Sequence, residues 1–298
     1  MSNRGVILVA ASACFVATQA ILVKLAYATG VNVVTALTLR FAFASVIFFV
    51  CLYIGGQSLK VAPRNRRLLG FIIFVHIILD ALVFESYSLL PASLAIMFLY
   101  AYPAFTGILA YFIFHEKLGA IKISALMLSG CGIVMLLWGS WNSINFLGVF
   151  MALAAAVAYA IYLIFLPGLL GRVHKLTFST WMFAVSTVAY LLVGLVFGGL
   201  DFNFAPAGWF YLIATSLISS VAATLALLYG LPLVGATQGA IILTLEPPIT
   251  IFLGYLVFKE VLTGLQIFGA ILILLAVVLP QVLDWRARKS PRDIGEKA

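Results

Sequence analysis

The sequence predicts an all-α, polytopic membrane protein whose ten transmembrane helices form two inverted repeats of five helices, with both termini cytoplasmic. Three observations lead to this prediction. The composition is too apolar for a water-facing surface, ten apolar runs are long enough to cross a bilayer, and one stretch of sequence recurs after 144 residues.

The composition excludes most classes of protein. The chain has 298 residues, of which 65% are hydrophobic and 9% are charged, whereas soluble domains are about 45–50% apolar and about 25% charged. The interior of one domain cannot hold so many apolar side chains, so part of the surface has to face lipid. A soluble enzyme, a nucleic-acid-binding protein, a disulfide scaffold and a disordered chain are all excluded.

Ten apolar runs, separated by charges and by Gly, Pro and Asn clusters, are each long enough for a transmembrane helix. The first run continues without a charge to Val23, which is too long for the hydrophobic region of a signal peptide, so we expect it to be retained. The predicted spans, in order, cover residues 5–28, 33–55, 68–89, 93–114, 120–139, 146–168, 177–198, 206–231, 235–257 and 264–284.

The distribution of Lys and Arg predicts the orientation. If the N-terminus is cytoplasmic, 14 basic residues lie on the inner side, against Lys24 and Lys259 towards the outer side, with Arg40 inside a span. Short cytoplasmic loops carry such an excess of positive charge. The even number of spans then places both termini, including a basic tail over residues 285–298, in the cytoplasm.

An internal repeat divides the chain into residues 5–139 and 146–284. Residues 102–116 read YPAFTGILAYFIFHE and residues 246–260 read EPPITIFLGYLVFKE, so that Pro, Thr, Tyr and Glu coincide in one register. Each half contains five spans, an odd number, and the second copy therefore enters the membrane from the opposite side. Such inverted repeats are typical of secondary transporters, which bind substrate near the bilayer midplane.

These residues carry a resemblance to a known family. An apolar span with a central proline and a glutamate 13 residues later (Pro103 to Glu116, Pro247 to Glu260) resembles the EamA-type repeat of the drug/metabolite transporter superfamily. Within it, the chain is similar to amino-acid exporters of the YddG kind. The resemblance implies a 5+5 inverted-repeat carrier in a bacterial inner membrane that moves amino acids or other small metabolites outward.

Glu246 is the most informative polar residue, because an ionisable side chain inside a span is costly and needs a partner or a function. It lies about 11 residues from either end of the ninth span, directly before Pro247 and Pro248. Proline removes backbone donors and frees carbonyls in the preceding turn. Glu246 either contacts substrate or carries a proton, or it is a structural acid that holds a kink. We expect Pro103, Pro247 and Pro248 to act as hinges.

Charged residues of the first three spans lie at matching depths and predict two intramembrane ion pairs, Arg40–Asp80 and Lys24–Glu85. His76 lies one helical turn before Asp80 and hence on the same face. These groups either neutralise one another for structural reasons or form part of a proton pathway, with His76 as a relay.

Further polar side chains at central positions are candidates for lining a cavity. Tyrosine normally favours the membrane interface, so tyrosines near mid-bilayer are unexpected; ordinary packing with a bonded hydroxyl is the alternative. The candidates are Tyr100, Tyr102, Tyr159, Tyr162, Gln19 and Gln238.

The function predicted from these features is secondary active export of amino acids or similar small metabolites by alternating access. A passive channel or facilitator is the alternative, followed by a membrane protein without transport activity. No catalytic motif and no P-loop is present in the sequence, so neither an enzyme nor an ATP-driven pump is expected. The expected partners are a small-molecule substrate and the lipid bilayer, without nucleic acid, metal or cofactor. Proton coupling is compatible with Glu246, and a monomer is compatible with the sequence.

Overall fold

A computed structural model describes residues 3–115, 120–138 and 144–289, and no β-strand occurs within these ranges. The chain folds into a bundle of α-helices and one π-helical segment. The elements are α1 (Asn3–Ala28), α2 (Val33–Ile54), α3 (Pro63–Leu89), α4 (Ala92–Leu99), α5 (Tyr102–Phe114), α6 (Ala120–Trp138), α7 (Phe146–Leu170), α8 (Lys175–Val196), α9 (Ala207–Ala214), the π segment (Thr215–Ala222), α10 (Ala223–Val234), α11 (Ala236–Leu243), α12 (Glu246–Phe258) and α13 (Gly264–Lys289).

The helices have the length and hydropathy needed to cross a membrane. In the described ranges, nine helices or joined helix pairs qualify as candidate spans, and Ile123–Trp138 is a shorter apolar helix. Large apolar side chains such as Phe74, Phe112, Phe150 and Phe252 are mostly exposed on the outside of the bundle. Such a surface is stable in hydrocarbon and unstable in water, so the chain is a multi-span membrane protein.

Two of the predicted continuous spans are broken in the middle, which corrects the sequence interpretation. The span predicted at 93–114 consists of α4 and α5, and the span predicted at 235–257 consists of α11 and α12. Pro103 and Pro247 each occupy the first turn of the second helix. A proline is tolerated there because its missing N–H would have no helical partner.

The bounds of the helices repeat after the same 144 residues as the sequence. Shifting α4 and α5 by 144 gives the bounds of α11 and α12 at all four ends. The helices α5 and α12 are followed by equivalent residues, His115 and Lys259, with left-handed φ values of 53° and 57°. These are the two non-glycine residues with positive φ in the described part of the chain.

Helices of the two halves interdigitate rather than forming separate bundles. Helix α3 packs on α7, and α1 packs on the segment from α9 to α10. Adding 144 to the residue numbers of α1 gives approximately those of α7, and adding 144 to those of α3 gives residues 207–233. The two contacts are therefore equivalent: in each, the first helix of one half packs on the third helix of the other half. The remaining large interfaces are α2 with α8 and α6 with α13. Each of them joins a helix to the equivalent helix of the other half.

Equivalent helices run antiparallel. Near the start of α2, the Thr35 hydroxyl donates to the carbonyl of Asp201, which follows α8. Near the end of α2, Phe48 stacks on Phe183 from the first half of α8 at 4.7 Å. Gly132 of α6 and Gly269 of α13 lie so close that a Cβ on either would come within 2.7 Å of the other's carbonyl oxygen. Small residues allow such close approach of backbones in membranes.

Helix α13 continues to Lys289 and so includes the first residues of the predicted basic tail over 285–298. Residues 290–298 and Glu116, the glutamate that closes the first repeat motif, lie outside the described residues.

Candidate functional site

The two broken helices meet at Glu246, the first residue of α12. Its Oε2 accepts a hydrogen bond at 2.8 Å from the hydroxyl of Tyr100, which lies in the break between α4 and α5. The same hydroxyl is 3.1 Å from the carbonyl oxygen of Leu243, the last residue of α11. The Thr250 hydroxyl donates to the Glu246 carbonyl at 3.0 Å. A carboxylate of one half is therefore held against the helix break of the other half.

Four of the predicted central tyrosines form one continuous row. The ring centroids of Tyr100 and Tyr102 are 5.7 Å apart, those of Tyr102 and Tyr159 are 4.6 Å apart, and those of Tyr159 and Tyr162 are 6.2 Å apart. The His76 imidazole lies 5.4 Å from the Tyr162 ring. The row thus leads from the Glu246 carboxylate on α12 to His76 on α3, along α7.

The far end of this row is a buried polar cluster around Arg40. Its Nη1 lies 3.3 Å from Asp80 Oδ1, so the Arg40–Asp80 contact expected from depth is present. Its Nη2 donates to Gln19 Oε1 at 3.2 Å, and its Nε donates to the Ser220 hydroxyl at 2.8 Å. The Arg40 guanidinium thereby joins α1, α2, α3 and the π segment.

The π segment contributes a second serine to this cluster. The Ser216 hydroxyl donates to the Arg40 carbonyl at 3.0 Å, and both Ser216 and Ser220 are buried. A π segment adds a residue to the turn and is frequent at functional sites. The span predicted as one regular helix over 206–231 is therefore interrupted opposite Arg40, a feature that the apolar pattern did not indicate.

His76 and Asp80 share a face of α3 as predicted. His76 Nδ1 and Asp80 Oδ2 are 3.3 Å apart, but they are not aligned as a hydrogen bond, and both atoms are buried without a hydrogen-bond partner among the described residues. A protonated imidazole would pair with this carboxylate oxygen. The pair can therefore respond to the arrival of a proton.

The expected Lys24–Glu85 ion pair does not form. Lys24 Nζ instead donates to the carbonyl oxygens of Leu90 at 2.7 Å and Tyr87 at 3.2 Å, and no salt bridge joins it to Glu85 within the described ranges. The last carbonyls of a helix lack helical partners and attract cations. The C-terminal end of α3 therefore offers Lys24 a closer partner than the Glu85 carboxylate.

Gln19 and Gln238 have different surroundings. Gln19 is buried and bonded to Arg40. Gln238 lies half-buried on α11, and its amide makes no hydrogen bond with any described residue. The structure therefore joins Gln19, and not Gln238, to the polar cluster.

A groove of about 440 Å³ begins at Tyr102 and follows α5 between α6, α7 and α13. Among the described residues its lining holds no charged side chain; Thr106, Gln281 and the Tyr102 ring give it polar character. Pro103 lines the groove, whereas Pro247 is buried and Pro248 is exposed. The lining residues are Tyr102, Pro103, Ala104, Thr106, Gly107, Ala110, Ala125, Leu126, Leu163, Ile164, Ala276, Val277, Pro280 and Gln281.

Gln281 was not identified from the sequence. Its Oε1 is buried and has no hydrogen-bond partner among the described residues. The available signal was an amide directly after a proline, Pro280, within the last apolar span. A buried amide oxygen without a partner is costly, and in a groove it is free to accept a hydrogen bond from a solute.

Glu260 also makes contacts that its position past the ninth span did not indicate. Its carboxylate accepts hydrogen bonds from the backbone N–H groups of Ala92 at 2.8 Å and Ser93 at 3.0 Å, and from the Ser93 hydroxyl at 2.7 Å. A carboxylate at a helix N-terminus satisfies unpaired donors and the helix dipole. The end of α12 is thereby fastened to the start of α4.

Known proteins resemble most of the chain. It is 27% identical over 229 residues to the uncharacterized transporter sll1319 of Synechocystis sp., covering 73% of this chain and 68% of that protein. It is 28% identical to the probable amino-acid metabolite efflux pump of Salmonella typhimurium, covering 69% and 72%. A solved crystal structure has the same fold, with a TM-score of 0.69 and 16% identity over 97% of this chain and all of that chain.

The family assignment rests on both halves of the sequence. Residues 3–138 and residues 146–280 each match the EamA-like transporter family, and the two matches together span most of the chain. The family and these relatives are transporters rather than enzymes. This chain is therefore a member of the EamA-like transporter family.

Proposed function

We propose that this transporter is a secondary active exporter of amino acids or similar small metabolites that works by alternating access. The observation that carries the proposal is the Glu246–Tyr100 hydrogen bond, which joins the helix breaks of the two halves beside the groove that starts at Tyr102. An ionisable group at such a junction can exchange its partner for a substrate amine or a proton. The similarity to the probable amino-acid metabolite efflux pump of Salmonella typhimurium supports the substrate class.

The proposed architecture is ten membrane crossings in two inverted halves, with both termini on the cytoplasmic side of a bacterial-type inner membrane. Helices α2 and α8 pack antiparallel. Helix α1 packs on the segment from α9 to α10, and its counterpart α7 packs on α3 in the same way. Both observations support a pseudo-twofold axis in the membrane plane that relates the two halves. The surplus of Lys and Arg in the loops after α2 and α7 and in the first residues of α3 and α8 supports the orientation. A monomer contains the whole proposed pathway.

The conformation described here fits an inward-open state. The groove runs from Tyr102 towards the C-terminal ends of α5, α7 and α13, and in the proposed orientation those ends are cytoplasmic. On the opposite side, the Glu260 carboxylate fastens α12 to α4. The equivalent positions of the second half, including Pro247, Thr250 and Gly254, are buried. We propose that opening to the outside requires release of the Glu260 contact and bending at Pro103 and Pro247.

The lining of the groove favours a neutral or zwitterionic solute with an apolar part. Its walls are mainly Ala, Leu, Ile and Val, while Tyr102, Thr106 and Gln281 offer hydrogen bonds without charge. A solute with a net charge would lose its hydration without compensation there. Glu246 would meet the amine of an amino acid, or hold the coupling proton when the site is empty.

The test is counter-gradient transport in proteoliposomes with a panel of amino acids and an imposed pH gradient. We expect the native protein to accumulate a substrate, and Glu246→Gln to bind or equilibrate the substrate without accumulating it. Glu85→Gln is the matched control, because Glu85 lies outside the groove, and it should accumulate substrate normally. If the native protein only equilibrates the solute, it is a passive facilitator, and if Glu246→Gln accumulates normally, the assigned role of Glu246 is wrong.

A further inference from the structure

A second groove, of about 600 Å³, lies between α3 and α8 beneath the loop that joins α2 to α3. It is separate from the Tyr102 groove and shares no residue with it. The lining residues are Leu59, Lys60, Val61, Arg66, Leu69, Gly70, Ile73, Phe74, Ile77, Trp181 and Val185.

One wall of this groove is a single stripe along α3. Its residues recur at spacings of three and four from Arg66 to Ile77, which places them on one helical face. Eleven residues of helix span about 16 Å, roughly half of the ~30 Å hydrocarbon core. Phe74 on this stripe is 60% exposed, so the groove opens sideways to lipid and has the depth of one leaflet.

The mouth of the groove is basic and lies at the level of a loop between two membrane spans. Lys60 and Arg66 are exposed there, and neither has a salt-bridge partner among the described residues. The Arg66 Nε donates to the Val61 carbonyl at 3.2 Å, which orients its guanidinium at the rim. Trp181 Nε1 donates to the Leu59 carbonyl at 3.0 Å, a position typical of an aromatic residue at the membrane interface.

The floor of the groove is kept open by a glycine. A Cβ built on Gly70 would meet no atom within 4 Å. A larger side chain at this position would therefore enter the groove without displacing protein atoms, and it would occupy the space available to a ligand.

We propose that this groove binds one acyl chain of an anionic phospholipid and that Lys60 and Arg66 bind its phosphate. The apolar stripe matches a chain that reaches the bilayer midplane, and the two cations without acidic partners match a headgroup that carries net negative charge. A zwitterionic headgroup contains a positively charged group next to its phosphate, so its electrostatic attraction to Lys60 and Arg66 is weaker. Basic pockets between transmembrane helices bind anionic headgroups for this reason.

The experiment measures lipid binding to the purified full-length protein in detergent, by native mass spectrometry and by thermal unfolding. Phosphatidylglycerol and phosphatidylcholine with the same acyl chains are compared, with inorganic phosphate as a third arm. We expect phosphatidylglycerol to remain bound and to raise the unfolding temperature more than phosphatidylcholine, and inorganic phosphate to have no effect. Replacing both cations (Lys60→Gln with Arg66→Gln) should weaken phosphatidylglycerol binding by about 30-fold.

Matched variants separate this site from general effects of charge and stability. Arg64→Gln with Arg67→Gln removes the same amount of charge at neighbouring positions that do not line the groove, and it should leave binding unchanged. Gly70→Leu should abolish the bound lipid, whereas Gly130→Leu, at another glycine with open surroundings, should not. Lys60→Arg with Arg66→Lys keeps the charge and should keep the preference. Equal binding of the two lipids, an equal effect of both charge pairs, or an equal shift with inorganic phosphate would overturn the proposal.

Discussion

Arg40 shows how a membrane interior tolerates a full charge. The residue is 6% exposed, and its guanidinium contacts the Asp80 carboxylate, the Gln19 amide and the Ser220 hydroxyl. The rings of Phe41 and Phe84 lie 5.0 Å from its Cζ, close enough for cation–π attraction. Its charge is thus compensated on several sides, which offsets the cost of removing it from water.

The buried pair should show strong coupling in a double-mutant cycle. We expect Asp80→Leu alone and Arg40→Met alone each to destabilise the protein by about 3–5 kcal/mol, because each leaves an uncompensated buried charge. The double variant should lose far less stability than the sum of the two. The measurement is the free energy of unfolding in mixed micelles; additive losses would show that the two side chains act independently.

At the residue scale the sequence predicted the contact between Arg40 and Asp80 and missed several other contacts of the polar side chains. Arg40 and Asp80 could be matched because intramembrane charges need compensation and depth follows from counting residues. The partners of Lys24 and two of the three donors to Glu260 are backbone groups, which every residue carries and no sequence pattern distinguishes. Gln281 was missed because its isolation depends on the shape of the groove around it.

At the scale of elements, the proline positions indicated where two spans bend, and the structure gives the form of the bend. Each span is fully interrupted, by two residues between α4 and α5 and by two residues between α11 and α12. Apolar runs alone could not show this, because a broken and a continuous helix need the same hydrophobic length to cross the membrane.

The prolines should control the rate of the conformational change rather than affinity. In Pro103→Ala combined with Pro247→Ala, each alanine restores a backbone N–H that favours a continuous helix. The two hydrogen bonds are together worth about 1–3 kcal/mol, so substrate exchange in proteoliposomes should slow by about fivefold to 150-fold. Binding of the same substrate to the detergent-solubilised protein should stay within about twofold. Unchanged exchange would refute a hinge at these prolines.

The contact between Glu260 and α4 should be sensitive to a single methyl group. A Cβ added at Gly254 would lie 2.7 Å from Glu260 Oε2 and 2.8 Å from the Ser93 hydroxyl. Gly254→Ala should therefore weaken the outer closure and speed the reaction of a Thr250→Cys thiol with a membrane-impermeant maleimide. The background has its three native cysteines replaced by serine, and Gly130→Ala, with open surroundings, is the control. Equal labelling rates in both variants would rule out a closing role for this contact.

At the scale of the whole molecule, the two halves stabilise each other because neither buries its own apolar faces. The first helix of each half packs on the third helix of the other, and the second and fifth helices pair with their own counterparts. The groove and the Glu246–Tyr100 contact both lie where the halves meet. A rearrangement of one half therefore changes both the groove and the Glu246–Tyr100 contact.

The proposed orientation predicts which loops face the cytoplasm. Gln57 lies between α2 and α3, and Asn203 lies between α8 and α9; both are exposed. In the cysteine-free background, Asn203→Cys should react with an impermeant maleimide in intact cells, and Gln57→Cys should react only after the membrane is permeabilised. Labelling of both sites in intact cells would contradict the inverted arrangement.

The sequence by itself determined that the chain is a helical membrane protein, that it contains a repeat, and which polar residues are buried at depth. Those features follow from hydrophobic length and from the cost of polar groups in lipid, which act on each segment locally. Only the tertiary structure decided that the tyrosines form one row, that Lys24 binds carbonyls, and that Glu260 fastens α12 to α4. These contacts join residues up to 168 positions apart, and the packing of whole helices, rather than any local preference, brings them together.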